Sequence, residues 1–292
     1  MSTGSTDYIA SYWTLAGNVV PLGPPDQEAS PHDLSERLAI AAQCGYRGMG
    51  FMHSDMQRIR QRYDDATLRA MFADHGIDLL ELEFLVGWID DGEALATAEA
   101  VFQDMLDAAA ALGIRHFKLG PDMEARAWPH DRMSERFAAL CRRAGEVNAQ
   151  VVLEPMPWSN VADLDTAIDI VQAAGEPNGG LLVDIWHMAR GGIHYDEVAK
   201  VPTGLIKHVE LNDARAQVRG TLLEDTLNRR LFCGEGDFDV VAFVRALIQQ
   251  GYDGPYGIEI LSAAQRQRAI ADVGRDAIDT ARQTVLAALE DH

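Results

Sequence analysis

Six times along the chain a helical pattern ends in glycine and a short apolar run follows within a few residues. The junctions lie at residues 41–51, 72–85, 108–119, 143–155, 172–186 and 248–261. Glycine ends a helix because it takes the left-handed conformation at little cost. The runs that follow are four to about eight residues long, the length of a strand. Residues 7–13 and 204–212 add two more such runs, making eight. Between them lie segments such as 92–112, 131–144 and 237–250, whose apolar residues recur at i, i+3 and i+4. One face of each can therefore bury. Eight strand-then-helix units in series predict a single (β/α)8 barrel, a TIM barrel, with the helices outside. An open doubly wound sheet is the competing architecture, but no GxGxxG turn follows the first strand. The 292 residues fit one barrel domain over 1–292, and no linker or composition shift divides them.

Charge and composition remove several classes of function. The formal net charge is −20, with only three lysines, Lys118, Lys200 and Lys207. So acidic a surface repels a phosphate backbone, which argues against nucleic-acid binding. No apolar run approaches the ~20 residues of a membrane span. The first seven residues lack the basic-then-apolar layout of a secretory leader. Cys44, Cys141 and Cys233 form no CxxC pair and no disulfide framework. The expectation is a cytoplasmic, soluble enzyme domain.

In a barrel, chemistry collects at the C-terminal ends of the strands. Those ends read Trp13, His53, Glu83, Trp88, Lys118, Glu154, Trp158, Asp184, His187, Glu210, Asn212, Asp213 and Glu259. Four carboxylates stand out among them. Glu154, Asp184, Glu210 and Glu259 fall on strands 5 to 8, each flanked by apolar residues. Buried alone, each would cost several kcal/mol. Four together call for a cation, and an all-oxygen set favours a hard ion, Mg²⁺ or Mn²⁺. The alternative is that arginines pair with these acids as salt bridges at the barrel rim.

Several motifs then resemble a known group. They are Leu153-Glu154-Pro155, the run Asp184–His187, the strand end Val209–Asp213, the segment Gly234–Asp239, and Ile258-Glu259. In order and spacing they are similar to the sugar phosphate isomerase/epimerase superfamily, with its xylose isomerase-like TIM barrel. The resemblance implies one divalent metal held by Glu154, Asp184, residue 210 and Glu259. In that superfamily the third ligand is usually a histidine, in a pattern close to HVHxxD. Here the strand reads His208-Val209-Glu210. Alternation puts 208 and 210 on one face, so Glu210 takes the ligand's place and His208 lies one layer below.

The resemblance also places His187 beside the metal, in contact with a substrate oxygen; its alternative role is to orient Asp184. Lys118, facing inward, would neutralise a substrate oxyanion; facing outward, it would be a rim salt bridge. His53 could bind a hydroxyl or sit in the core. All five tryptophans follow strand ends, and indoles such as Trp13 and Trp158 can stack on a sugar. Others among them would only close the barrel mouth. Residues 214–237 exceed what a barrel turn needs and carry Arg215, Arg219, Arg229 and Arg230. Such a loop reads as a lid, with at least one of Arg215, Arg229 and Arg230 reaching substrate, or as a contact between subunits of a homo-oligomer.

The function these features imply is a metal-dependent isomerase or epimerase for a sugar, keto-sugar or polyol, with Glu154 and Glu259 moving the proton. The same enolate chemistry serves a lyase acting on a keto-inositol, dehydroshikimate or a 3-keto-glycoside. A non-catalytic sugar-binding barrel is a third reading. A nuclease of the endonuclease IV type would need many histidines and a basic face.

Overall fold

The computed structural model describes residues 6–290. The start of the chain, read above for a leader, lies mostly outside them. Eight strands form a closed barrel in chain order. They are β1 (Tyr8–Ala10), β2 (Gly48–Met52), β3 (Leu79–Leu85), β4 (Ile114–Leu119), β5 (Gln150–Leu153), β6 (Gly179–Asp184), β7 (Ile206–Leu211) and β8 (Tyr256–Ile258). β1 pairs in parallel with β2 and with β8, and β4–β5–β6 and β7–β8 are likewise parallel. All eight predicted strands are present, so the TIM barrel expectation holds. Among the described residues, no helix is long and apolar enough to cross a membrane.

The helices follow the sequence pattern closely. Gly92–Leu112 ends at Gly113, whose φ of 75° closes the last turn in the left-handed region. Gly45, Gly76, Gly175 and Gly251 also have positive φ at the predicted stops. The junction at 143–155 differs. Gly145 lies inside the helix His130–Glu146, and Asn148 makes the left-handed turn instead, at φ 58°. Asparagine tolerates that region better than most residues, so a glycine in a helical run did not mark the stop. Asp33 and Asp163 cap the N-termini of Leu34–Cys44 and Leu164–Ala174 by accepting backbone N–H groups.

The chain forms two compact units. The first contains β1, β2, β8 and most of β7. Beneath its helices Arg37 Nη1 meets Asp55 Oδ2 at 2.6 Å, both buried. The guanidinium also lies 5.4 Å from the ring centres of Tyr12 and Phe51. A buried charge is tolerable here because it has an ion partner and two aromatic faces. The second unit contains β4, β5, β6 and most of β3, and its helices His130–Glu146 and Leu164–Ala174 lie side by side.

Strands this close leave some positions no room for a side chain. At Gly48 on β2, a Cβ would stand 2.3 Å from the Leu79 carbonyl oxygen and 2.7 Å from Ile9 Cγ1. The carbonyl cannot move without breaking the ladder. Gly48→Ala is therefore expected to destabilise the fold by about 1–3 kcal/mol, the usual range for overpacking. Urea denaturation followed by circular dichroism measures it, and an unchanged midpoint would refute the crowding.

Candidate metal centre

In the second unit, Glu154 follows β5 directly. Its N–H donates to the Leu119 carbonyl at 3.1 Å, which keeps it in register with β4. Asp184 is the last residue of β6 and caps the short helix Ile185–Arg190, its Oδ1 accepting the Trp186 N–H at 2.6 Å. Because the strand passes straight into that helix, His187 arrives three residues on. Its Nε2 lies 3.2 Å from Glu154 Oε1. Glu154, Asp184 and His187 are all buried and can bring one ligand atom each within 4.8 Å of the others. A divalent ion about 2 Å from each ligand would draw such a set together. Two carboxylates and one imidazole, shielded from water, are a donor set that fits a metal.

Aromatic rings wall this group. Trp158 stands 5.4 Å from the His187 ring and 5.9 Å from Trp186, and Trp186 is 5.2 Å from His187. Trp158 keeps part of its surface open, whereas Trp186 is wholly buried. Trp88 and Trp128 have the rim-packing role: their Nε1 groups donate to the Gly120 carbonyl at 2.7 Å and to Asp122 at 2.6 Å.

In the first unit, Glu210 and His208 share the buried face of β7, as alternation requires. Glu210 Oε1 accepts from the Ser11 hydroxyl at 2.8 Å, and His208 Nε2 is 3.8 Å from the same oxygen. Gly257 on β8 pairs with Glu210, and it leaves space for both side chains. A Cβ there would stand 2.7 Å from His208 Nε2 and 3.1 Å from Glu210 Cγ. Glu259 follows β8, and its N–H donates to Leu211 at 3.2 Å. Its Oε2 lies 2.7 Å from Arg230 Nη1, and both side chains are buried. Thr226 Oγ1 braces that guanidinium at 3.0 and 3.3 Å. The arginine-pairing alternative thus applies to Glu259.

The other sequence candidates are placed as follows. Trp13 is buried edge-on against Tyr12, at 5.0 Å. His53 is half-buried and opens the helix His53–Arg62. Lys118 faces inward, with its Nζ 2.8 Å from Glu81 Oε1 and 3.4 Å from Glu83 Oε1. Arg215 is mostly exposed, 3.9 Å from Asp237. Arg229 Nε donates to the Arg219 carbonyl at 3.2 Å. The buried arginine of the long loop is Arg230, which had no distinguishing mark in the sequence. Glu81 and His116 were also missed. Their signal was available: LELEF and IRHFK alternate, placing Glu81 with Glu83 and His116 with Lys118 on one face of each strand.

The long loop has structure of its own. It contains the helix Leu222–Asn228, begun by a Thr221–Glu224 capping box. Asp213 fastens both its ends, accepting N–H groups from Ala214 at 2.7 Å, Gly234 at 3.0 Å, Gly236 at 2.9 Å and Phe238 at 3.0 Å. Burial raises the Asp213 carboxyl above its usual range, against the pull of those donors. Asp213→Ala should therefore speed hydrogen exchange in residues 232–238 while the strand amides stay protected. Mass spectrometry of exchanged peptides reads this, and unchanged rates would show that the loop holds without its anchor.

A protein-family model described as xylose isomerase-like TIM barrel matches residues 38–283. The 3-dehydroshikimate dehydratase of Pseudomonas aeruginosa is 25% identical over 78% of the chain, which spans only 36% of that protein's length. The inosose isomerase of Bacillus velezensis is 23% identical over 75% of the chain and 78% of its own length. Among solved structures, an IOLI protein with a zinc atom superposes with a TM-score of 0.82 at 18% identity, covering 96% of this chain and 98% of that one. The family match runs from within the helix Leu34–Cys44 to within the helix Ile270–Glu290, so it takes in nearly the whole barrel. The chain belongs to the xylose isomerase-like TIM barrel family.

Proposed function

We propose that this chain, acting as one barrel domain, is a divalent-metal-dependent isomerase or epimerase for a small sugar, keto-sugar or polyol. The observation that carries this reading is the buried group of Glu154, Asp184 and His187 at the C-terminal edge of β5 and β6. In the proposed centre, Glu154, Asp184, Glu210 and Glu259 hold one ion, Mn²⁺ or Mg²⁺. They come from β5 to β8, which are consecutive in the barrel. A bound divalent ion polarises a carbonyl and acidifies the C–H beside it.

The chain's own groups do the rest. Glu154, set against His187, takes the proton from carbon, Glu259 gives a proton of its own back to carbon, and both carboxyls re-equilibrate with solvent between turnovers. Arg230 fixes the direction of the Glu259 carboxyl group. Trp158 and His187 form the surface on which the substrate lies, the indole against its C–H face. His53 and Trp13 flank the same end of the barrel, and Arg215 and Arg229 contact substrate only if the loop turns them inward. The names of the relatives support both an isomerase and a dehydratase. The lyase reading uses the same proton abstraction and then expels a β-hydroxyl.

One experiment separates these outcomes. The Mn²⁺-loaded protein is incubated in D₂O with ketoses, an inosose and 3-dehydroshikimate, and followed by NMR. Deuterium entering carbon with mass otherwise retained is expected; deuterium entry with loss of water marks the lyase. No exchange with any of these compounds would refute the proposal. Metal analysis is expected to find one divalent ion per chain. Glu210→Gln should weaken Mn²⁺ binding by at least about tenfold with the fold intact, since a neutral amide replaces a charged ligand oxygen. Unchanged affinity would remove Glu210 from the site.

A further inference from the structure

We propose that Glu83 is a further acid–base residue of this site and that Lys118 is its positioning residue. The inference rests on the metal-assisted carbonyl chemistry proposed above and adds to it a source of protons for oxygen.

The geometry lies within β3 and β4. Glu81 and Glu83 share one face of β3, and His116 and Lys118 share one face of β4. All four are almost wholly buried. Lys118 Nζ is 2.8 Å from Glu81 and 3.4 Å from Glu83, so one ammonium serves two carboxylates. Glu81 has the closer contact and a second neighbour, His116 Nε2, at 3.2 Å. Arg115 Nη1 lies 2.9 Å from His116 Nδ1 and Nη2 donates to the Lys207 carbonyl at 3.0 Å. An arginine only donates, so His116 Nδ1 accepts and its Nε2 carries the proton toward Glu81. Glu81 is thus braced as an anion from two sides, and Glu83 is left with the longer contact.

Glu83 is also the acid of this set nearer the C-terminal end of its strand. Lys118 is level with Val152 on β5, two residues before Glu154. The charged groups facing Glu83 are Glu81 on its own strand, Lys118 on β4 and Glu154 after β5, with His187 set against Glu154. Burial pushes its carboxyl up to about 7, the charges of Glu81 and Glu154 add to the rise, and Lys118 opposes it. A carboxyl that holds its proton near neutrality can act as a general acid.

The step balances without any added reagent. The O–H bond of the Glu83 carboxyl breaks, and an O–H bond forms to the substrate's carbonyl oxygen as that oxygen becomes a hydroxyl. The carboxylate keeps the electron pair and its contact with Lys118. The neighbouring substrate hydroxyl, on becoming the new carbonyl, returns a proton to Glu83. Glu154 and Glu259 handle the proton on carbon.

Three measurements on the Mn²⁺-loaded protein test the inference. Glu83→Gln keeps the shape but has no carboxyl proton, so kcat should fall by about 100-fold or more with Mn²⁺ affinity unchanged, and Glu83→Asp should recover part of the loss. A general acid makes kcat fall above its own pKa. The pair Glu81→Gln and Lys118→Met removes the ammonium together with the Glu81 carboxylate it contacts most closely. It should move that alkaline limb to higher pH, because Lys118 lowers the Glu83 carboxyl more than Glu81 raises it. In pH-difference infrared spectra, a protonated carboxyl band should titrate near neutrality in the wild type and be missing from Glu83→Gln. The proposal is overturned if Glu83→Gln retains kcat, if it loses Mn²⁺ along with activity, or if the wild type has no such band. Should Glu83→Gln fail to fold, Glu83→Asp and the double variant carry the test by the same readings. If the wild type exchanges none of the substrates offered, the functional reading fails, and the infrared band still decides Glu83 by itself.

Discussion

Every acid that this barrel takes out of water must be given something positive. Burying an ionised carboxylate alone costs several kcal/mol, which a marginally stable domain cannot absorb many times over. The structure meets that demand in different ways at different depths. Asp55 has Arg37, Glu81 has Lys118, Glu259 has Arg230, and Asp213 has four backbone N–H groups. Glu154 lies against the His187 imidazole, and Asp184 caps the helix Ile185–Arg190.

The fold and much of the site were legible in sequence because both depend on period. Glycine after a 3.6-residue repeat, followed by a short apolar run, locates six of the strands, apolar runs alone locate the other two, and the C-terminal ends of the strands locate Glu154, Asp184, Glu210 and Glu259. The failures have physical causes. Gly145 sits within a helix because Asn148, three residues on, can take the left-handed turn. Lys118 could point either way until Glu81 and Glu83 were seen on the adjoining strand. Arg230 looked like any of the loop's arginines. Its burial depends on the helix Leu222–Asn228 bringing Thr226 beside it, and no local pattern encodes that contact.

The loop after β7 is long because it has two tasks. It must place Arg230 against Glu259, and it must return to the barrel at Asp213. An antiparallel bridge between Asp213 and Leu231 and another between Arg229 and Ser262 hold it at intermediate points. A segment fastened in this way sets the direction of a carboxylate more firmly than a free lid could. Its exposed arginines, Arg215 and Arg229, are turned to the loop's own acids and carbonyls.

Gly257 has a consequence for how such a site can change. It is the neighbour that gives His208 and Glu210 their space on β7, and a single methyl group there would collide with the His208 ring and crowd Glu210. The identity of the residue at position 210 is therefore written on two strands at once. A chain that exchanged this glutamate for a bulkier or shorter residue would meet a glycine on β8 already sized for the present pair. The side chain on one strand and the glycine on the next should change together across descendants of this sequence, and a designer who alters the first without the second inherits either a void or a clash.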